Sequence, residues 1–346
     1  MKKTGYLLLM FSLIAVISCN KENPFEPDIE VIKKYEVVFV SDRNSGGETS
    51  LELGAKTELF NTGLDSISQK RLTFNQTWDF DPVYSPDGSN IAFTAYVSES
   101  NSNIILYDIA AKTQKILSEG REPVYSRDGS KIAFLDGESI GIVNSNGSNK
   151  VVLDLPEGKP VSVNFSPDGS SLIFVLQNGN SSEIYSVNID GSNLNKITET
   201  EDYEVYCNYS PDGSRIVSVA YTNTVAQIFI MNADGSNRIR LTNTKEWNNK
   251  PVFTPNGGEI IFVSNRNGRS EIFVMNSDGS NQKQLVSFSD FADDPVISSD
   301  GKIVAVTVDN GIKKNLWFYN RETGQLSEMP GFNANNFSPN FKPVSD

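Results

Sequence analysis

The sequence predicts an all-β fold built from repeated four-stranded antiparallel units. Three observations lead to this prediction. A short turn motif recurs at nearly constant spacing, strand-like runs of alternating apolar residues flank its copies, and no helical period is visible after residue 35. Four-stranded units that repeat about every 40–45 residues are typical of a β-propeller, in which the sheets are arranged as blades around a central axis.

The recurring motif is the tetrapeptide Ser-Pro-Asp-Gly or a close variant of it. Proline presets φ for the first central position of a tight turn, Asp suits the second, and Gly accepts the positive φ at which the turn ends. Complete copies begin at Ser85, Ser126, Ser166, Ser210, Thr254 and Ser298, and a degenerate copy, Ser-Pro-Asn, begins at Ser338. The complete copies are 40 to 44 residues apart, which indicates one motif per blade.

Four predicted strands make up each unit. The strand before the turn ends in an aromatic residue, as at Tyr84, and the strand after it is an apolar run such as residues 260–263. A third run, such as residues 184–187, leads to an Asn-Gly or Asp-Gly dipeptide, which is a strong hairpin signal. The fourth strand closes the unit and ends in a threonine such as Thr198 or Thr242.

The two ends of the repeat region predict the number of blades. The first unit starts at Val37 without a motif strand before it, and one extra motif-type strand around residues 336–338 follows the last full unit, which ends near Met329. Pairing the extra strand with the three N-terminal strands completes the first blade and hides two sheet edges. We therefore expect a seven-bladed β-propeller in one domain over residues 35–346, its first blade closed by a C-terminal strand. Six or eight blades are the alternatives.

Residues 1–18 are predicted to be a signal peptide. Two lysines form a basic start, and the apolar run at residues 7–17 is too short to span a bilayer as a stable helix. The run ends in Val-Ile-Ser-Cys, which resembles the bacterial lipoprotein box; an ordinary secretory signal is the alternative. The resemblance implies that Cys19 becomes the lipidated N-terminus and that residues 19–34 hold the lipidated cysteine and a tether.

The position after the cysteine bears on the membrane. Asn20 stands there instead of the Asp that often retains lipoproteins at an inner membrane. We therefore expect the protein at the bacterial outer membrane, lipid-anchored and facing the periplasm or the cell surface. Removal of the two N-terminal lysines changes the net charge from −13 to −15.

The composition excludes several kinds of active site and partner. The chain has no histidine, which removes His-dependent triads, His metal sites and imidazole bases. Its 43 acidic residues outnumber its 30 basic ones, which argues against nucleic acid as a partner. One of the two cysteines, Cys207, occupies a place that proline takes in four other repeats. We expect it to be a small buried residue on an inner strand.

Two acidic patterns resemble chemical sites. The Asn-x-Asp-Gly hairpins resemble part of a calcium loop, but Ser186 and Val274 stand where the first acidic ligand would be, so hydrogen bonding within the turn is favoured and no metal or cofactor is expected. Paired carboxylates can catalyse acid–base reactions without histidine. The candidates are Asp79, Asp81, Glu122, Glu204, Asp293 and Asp294. We expect no enzyme; the alternative is a carboxylate-based polysaccharide lyase or hydrolase at the propeller mouth.

An aromatic residue recurs seven positions before the turn motif. Four copies have it, at Trp78, Tyr203, Trp247 and Phe291; the others have Glu119, Lys159 and Gly331, the last beside Phe332. These positions are expected in the loops that join successive blades, which open on one face. Polar neighbours are Asp79, Glu204, Asn248, Asn249, Asp293 and Asp294. Rings beside hydrogen-bonding groups suit peptide or sugar recognition, so we predict a ligand-binding face here. The alternative is that the rings wedge between blades.

The Pro-Asp-Gly repeats and the Asn-x-Asp-Gly-Ser-Asn hairpins resemble the TolB-type propeller repeat, related to WD repeats, over roughly residues 35–343. The resemblance implies protein–protein interaction in the cell envelope. Propellers of similar repeat type that cleave acidic polysaccharides use His-centred metal sites, which this chain cannot build. We expect a non-enzymatic, monomeric binding or scaffold protein that presents its central face to an envelope protein, a peptide or a glycan. A structural subunit that makes contact through its blade edges is a further alternative.

Overall fold

The computed structural model describes residues 35–43, 56–64, 69–330 and 334–344. Over these ranges the chain forms seven four-stranded antiparallel sheets and no helix. The predicted seven-bladed propeller is therefore confirmed. The predicted signal peptide, Cys19 and the tether lie outside the described residues. The described part contains no helix that is long and apolar enough to cross a membrane.

The strands follow the chain order, and each blade is numbered by its place along the chain. Blade 1 contains β1 (Glu36–Ser41), β2 (Glu58–Gly63), β3 (Lys70–Arg71) and β28 (Asn336–Phe341). Blade 2 contains β4 (Trp78–Tyr84), β5 (Asn90–Tyr96), β6 (Ser102–Asp108) and β7 (Thr113–Glu119). Blade 3 contains β8 (Arg121–Tyr125), β9 (Lys131–Asp136), β10 (Ser139–Asn144) and β11 (Val151–Val152). Blade 4 contains β12 (Lys159–Phe165), β13 (Ser171–Asn178), β14 (Ser181–Asn188) and β15 (Asn195–Lys196).

The remaining three blades have the same strand order. Blade 5 contains β16 (Tyr203–Tyr209), β17 (Arg215–Thr222), β18 (Val225–Asn232) and β19 (Ile239–Arg240). Blade 6 contains β20 (Asn248–Phe253), β21 (Glu259–Ser264), β22 (Glu271–Asn276) and β23 (Lys283–Val286). Blade 7 contains β24 (Phe291–Ile297), β25 (Ile303–Asp309), β26 (Lys314–Asn320) and β27 (Leu326–Glu328).

The two ends of the chain meet in blade 1. The C-terminal strand β28 is the innermost strand and pairs antiparallel with β1, Phe341 opposite Val37 and Asn336 opposite Ser41. The predicted closure of the first blade by a C-terminal strand is thus confirmed. Because β1 then has partners on both sides, its backbone hydrogen-bonding groups are not left as an open edge.

The register of this last strand differs from the expected one. Phe341 pairs with Val37 as Tyr84 pairs with Ile91 in blade 2, so Ser338 corresponds to Asp81 and not to the first residue of a turn. The turn equivalent begins at Lys342, 44 residues after Ser298. The repeat carries proline at two places, before and within the turn, and a single Ser-Pro does not distinguish them. The alignment of Gly331 and Phe332 with the aromatic positions was therefore wrong.

Each predicted turn is held by the same small network. In blade 2 the Gly88 amide donates to the Ser85 carbonyl at 2.8 Å, and φ of Gly88 is 69°. The Ser85 hydroxyl donates to Asp87 Oδ1 at 2.6 Å and accepts from the Asn90 amide at 2.9 Å. Asp87 Oδ1 also accepts from the Ser89 amide at 3.0 Å. The aspartate thus satisfies backbone and side-chain donors that would otherwise need water.

Neighbouring turns contact each other around the ring. The ring of Pro86 lies against the turn glycine of blade 3, and a Cβ placed on Gly129 would be only 3.3 Å from its Cδ atom. The corresponding distance for Gly213 and Pro167 is 3.4 Å. Glycine is therefore used here for its small size as well as for its positive φ of 72–74°.

The core consists of apolar clusters between successive blades. One position of the second strand is a fully buried phenylalanine in five blades: Phe39, Phe93, Phe134, Phe174 and Phe262. Blade 5 has Ser218 there and a half-buried cation nearby: the guanidinium of Arg238 lies 3.7 Å from the ring centroid of Phe229 and donates to Glu204 at 2.8 Å.

Phe341→Ala should destabilise the propeller strongly because this side chain anchors the closing strand. Phe341 is 8% exposed and packs edge-to-face on Tyr35 with ring centroids 6.3 Å apart. We expect a loss of about 3–5 kcal/mol in the free energy of unfolding, the usual range for a buried phenylalanine, measured by urea denaturation. The control Ile116→Ala removes a 62% exposed side chain from an outer strand and should change stability by no more than about 0.5 kcal/mol. Equal denaturation midpoints for the two variants would contradict the anchoring role of β28.

Candidate functional site

The propeller has two faces that differ in their exposed side chains. The loop face is formed by the connections from an outermost strand to the next innermost strand and from the second to the third strand of a blade. The turn face is formed by the Ser-Pro-Asp-Gly turns and the hairpins. Exposed large apolar side chains occur on the loop face at Phe74, Val97, Tyr221, Phe291 and Ile312. The others lie on or beside outer strands, at Ile116, Val151, Val152, Leu194 and Ile239. Of these, Leu194 lies in the hairpin that leads to β15, on the turn face. The loop face has five of the ten exposed apolar side chains of the described residues, so it is the candidate site.

The four predicted aromatic residues lie at the loop-face ends of the innermost strands. Trp78, Tyr203 and Phe291 are the first residues of β4, β16 and β24, and Trp247 immediately precedes β20. Three of them therefore begin strands instead of lying in the loops, whereas Trp247 is the last residue of its loop. Phe291 is 57% exposed, whereas the other three are half-buried.

The aromatic positions do not all have the same environment. Trp247 packs against the apolar cluster of blades 5 and 6 and against that of blades 6 and 7, so it fills the junction between blades as the alternative interpretation expected. Trp78 has the ammonium of Lys56 at 5.5 Å from its ring. Phe291 is the member with the largest free surface.

The polar residues that follow three of these rings are buried. Asp79, Glu204 and Asn248 have no solvent exposure, because successive side chains of a strand point to opposite sides and these point into the blade interface. Their expected exposure on the ligand-binding face is therefore corrected. Asn248 accepts a hydrogen bond from Arg266 at 2.8 Å and donates to Gln227 at 3.2 Å.

Burial also changes the protonation of two of these carboxyls. It raises the pKa of Asp79 to about 6, although hydrogen bonds from Thr77 and Asn75 oppose the shift. It raises the pKa of Glu204 to about 7, although Arg238 at 2.8 Å favours the charged form. Loss of hydration outweighs the local partners in both cases.

A second set of charged residues lines the mouth of the central channel. In five blades the residue before an inner-strand proline has φ near +50°, namely Asp81, Glu122, Lys250, Asp294 and Ser338. A β-bulge interrupts the strand pairing at this point, for example between Phe80 and Val83, and re-aims the side chain. Four of the five residues are charged. The repeated residue-before-proline pattern was visible in the sequence, but its consequence for side-chain direction was not.

Ion pairs connect the channel mouth. Lys250 Nζ lies 2.8 Å from Asp293 Oδ2 and also contacts Asp294, so the two predicted aspartates are brought together on a cation that sequence analysis missed. Arg121 contacts Glu122 in the same way. The six residues Asp81, Arg121, Glu122, Lys250, Asp293 and Asp294 are called the channel mouth below.

Reduced hydration and neighbouring carboxylates raise the pKa of Asp81. It is exposed on the channel wall, but the narrow surroundings reduce its hydration and raise its pKa to about 6. The negative charges of Glu122 and Asp294 act in the same direction, whereas Arg121 and a 3.4 Å hydrogen bond from Thr94 oppose it. Groups from blades 2, 3 and 7 are therefore within electrostatic range of one another.

The Asp residues of the hairpins and Cys207 both have contacts that a purely structural role explains. In the hairpins the Asp side chain binds its own turn: Asp190 Oδ1 accepts from the Ser192 amide at 2.9 Å and hydroxyl at 2.6 Å. No group of three or more His, Cys, Asp or Glu residues in the described ranges is arranged to hold a metal ion. Cys207 lies on the innermost strand β16, as predicted, and is fully buried, which raises the pKa of its thiol.

Seven blades, a terminal strand that closes the ring and Pro-Asp-Gly turns on one face define a repeat-built β-propeller. Residues 206–345 match the family model described as the TolB beta propeller domain, and the described residues have a TolB-like β-propeller fold. Among curated proteins none matches the sequence.

Solved structures agree with this fold. TolB from Acinetobacter baumannii is 17% identical with a TM-score of 0.59, over 90% of this chain and 67% of that one. A putative TolB from Agrobacterium tumefaciens is 19% identical with a TM-score of 0.55, over 70% and 99%. An oligogalacturonate lyase in complex with manganese is 16% identical with a TM-score of 0.64, over 84% and 83%. At these identities the likeness shows the fold, which serves proteins of different activities.

Asp81→Asn should stabilise the protein at neutral pH and not at acidic pH. The pKa of Asp81 is about 6 in the folded protein and about 3.9 in an unfolded chain, so ionisation destabilises the fold increasingly between these values and fully above pH 6. We expect the variant to have the higher melting temperature at pH 7.5, with the difference disappearing towards pH 4. A pH-independent difference would rule out titration of Asp81 in this range.

Asp212→Asn is the control with the opposite sign. Hydrogen bonds from Ser210 and Ser214 lower the pKa of Asp212 to about 2, so its charged form stabilises the fold above pH 4 and this contribution is lost as the pH falls towards 2. Asn256 occupies the same turn position in blade 6 with the same bonds, which shows that asparagine fits. This variant should melt lower than the parent at pH 7.5.

Proposed function

We propose that this protein is a non-enzymatic, lipid-anchored binding or scaffold protein of the bacterial cell envelope, and that its loop face holds a protein or peptide partner. The observation that carries the proposal is the group of five exposed apolar side chains on the loop face, including Phe291 and Ile312 of blade 7, on the same face as a charged channel mouth. Exposed apolar side chains beside directional polar groups are typical of recognition surfaces.

Charge favours a basic or neutral partner. The channel mouth has four carboxylates and two cations, and both cations are already in ion pairs. The whole chain carries −13. An anionic ligand such as an acidic polysaccharide would approach against this field, whereas a basic peptide would be attracted by it.

The position of Tyr35 supports an orientation in which the loop face points away from the membrane. Tyr35, just before β1, lies on the turn face, where its hydroxyl donates to Asp300 of the blade 7 turn at 2.7 Å. A lipid on Cys19 would therefore attach the protein to a membrane through its turn face. The loop face would then point away from the bilayer, free to meet a partner. The TolB-like fold supports the cell-envelope setting of this proposal.

A pull-down of partners from solubilised cell envelopes tests whether the protein binds them through its loop face or through its blade edges. The loop-face double variant Phe291→Ser with Ile312→Ser should lose partners that the parent captures, because it removes two exposed apolar contacts of one blade. The matched edge variant Ile116→Ser with Ile239→Ser removes two equally exposed side chains from outer strands and should retain them. Trp247 is unsuitable for this test because its ring also supports two blade cores.

If only the edge variant lost its partners, the protein would instead be a scaffold that binds through its blade edges, and the proposal for the loop face would be wrong. If the protein degraded an envelope polysaccharide and Asp81→Asn abolished this activity, the carboxylate enzyme would replace the proposal, since Asp81 is an exposed channel carboxyl with a raised pKa.

Cys19→Ser tests the anchor. Without the thiol no lipid can be attached, so the variant should move from the membrane fraction to the soluble envelope fraction and should no longer incorporate a labelled fatty acid. The control Cys207→Ser keeps Cys19 and should remain in the membrane fraction. Unchanged fractionation of the Cys19 variant would contradict lipid anchoring.

A further inference from the structure

A cleft of about 570 Å³ opens on the loop face between blades 2 and 3, beside the channel mouth. It arises because two neighbouring loops differ in length. The connection between the second and third strands has five residues in blade 2, at 97–101, and two residues in blade 3, at 137–138. The longer loop forms one wall, and Gly137 and Asp136 form the lower, opposite one.

A glycine lies in the wall of the cleft at the start of blade 3. Gly120 stands where the inner strands of the other blades carry larger residues: Asp79, Pro160, Glu204, Asn248, Ala292 and Asn336. A Cβ on Gly120 would lie 2.4 Å from Cδ2 of Phe134, so no side chain can be placed there. The cleft is therefore lined at this point by backbone.

The walls carry an aromatic ring and unbalanced negative charge. The ring of Tyr96 is held edge-to-face by Phe80 at 5.8 Å. Of the cations nearby, Arg121 is engaged by Glu122, and Lys150 lies 2.9 Å from Asp136. Among the described residues no ion pair or hydrogen bond occupies the carboxylates of Glu99 and Glu119, which also line the cleft. Two negative charges thus remain uncompensated in a recess that is large enough for a side chain.

We propose that this cleft binds a lysine or arginine side chain of an extended peptide segment. A basic head group between Glu99 and Glu119 gains charge-assisted hydrogen bonds, and Tyr96 offers a ring for its cation. Asn101 and Asn103, which also line the recess, supply amide groups for the peptide backbone. The volume lies in the range of about 300–1,000 Å³ that is common for ligand sites. The proposal rests on the proposed binding function and names the partner chemistry at one place on the loop face.

The cleft differs from the other acidic surfaces because its carboxylates line a recess and have no hydrogen-bonding or ion-pair partner among the described residues. The aspartates of the turns are hydrogen-bonded to their own serines, as in Asp87 and Asp128. The aspartates Asp293 and Asp294 share Lys250. In the cleft, by contrast, the carboxylates of Glu99 and Glu119 line a recess and have no such partners among the described residues.

The test uses purified protein and an end-blocked pentapeptide, Gly-Ala-Arg-Ala-Gly, with the citrulline peptide as its uncharged isostere. Amide NMR shifts are followed at Asn101 and Gly137 during titration. We expect the arginine peptide to shift these signals and the citrulline peptide to bind at least about tenfold more weakly, as expected for loss of a charged hydrogen-bonding group. Equal binding of both peptides, or shifts confined to other blades, would overturn the proposal.

Variants test the assigned carboxylates. The double variant Glu99→Gln with Glu119→Gln keeps the size and shape of both side chains. It should lower the affinity for the arginine peptide by about tenfold or more. The control Glu201→Gln removes one charge from the connection between blades 4 and 5 on the same face and should bind as the parent does. Equal affinity of the double variant and the parent would disprove the site. All these residues are exposed, so the fold should be retained.

The outcome is separable from that of the proposed function. If the peptide does not bind but loop-face variants still lose envelope partners, the cleft assignment is wrong and the binding function stands. If the peptide binds with the expected charge dependence while loop-face variants retain all partners, the cleft is a peptide site and the proposed use of blade 7 falls.

Discussion

Antiparallel pairing between β28 and β1 is the constraint on which the rest of the molecule depends. Each blade buries one side of its sheet against the preceding blade and the other side against the next, so a gap anywhere would expose two sheet faces. Joining the two ends in one sheet removes that gap through backbone hydrogen bonds and through Phe341 and Tyr35 in the same cluster. The positions of the channel mouth and of the cleft relative to one another follow from this closed ring.

The turn network explains why the two faces differ. On the turn face six repeats use Ser or Thr, Asp or Asn, and Gly to satisfy backbone groups within five residues, and in four places the proline of one turn packs against the glycine of the next. These positions have little freedom to vary. On the loop face the connections between second and third strands differ in length, from two residues in blade 3 to six in blade 6 among those that the structure describes completely. Variation in length and side chain is therefore concentrated on the face that has the exposed apolar groups, the channel mouth and the cleft.

Much of the fold could be predicted because its determinants are local. Proline and glycine at fixed turn positions, two-residue alternation and a constant spacing were enough to predict the strand order, the seven blades and the place of Cys207. The register of β28 was misjudged because Ser338-Pro339 is equally compatible with two places in the repeat. Asp79, Glu204 and Asn248 were predicted on the surface because the loops between blades were expected to include them. As the second residue of a strand, or its first in the case of Asn248, each points into the blade interface.

By itself the sequence determined the architecture, the turn chemistry and the exclusion of histidine-based sites, since these depend on residue types and on spacing along the chain. Only the tertiary structure decided which carboxylates are exposed and which charges meet. Asp81, Glu122 and Asp294 come from blades 2, 3 and 7, and Lys250 reaches across from blade 6. Their proximity is set by the diameter of the closed ring and by the bulges that turn these side chains. The cleft depends likewise on the heights of two neighbouring loops, which lie about one repeat apart in sequence and side by side in space.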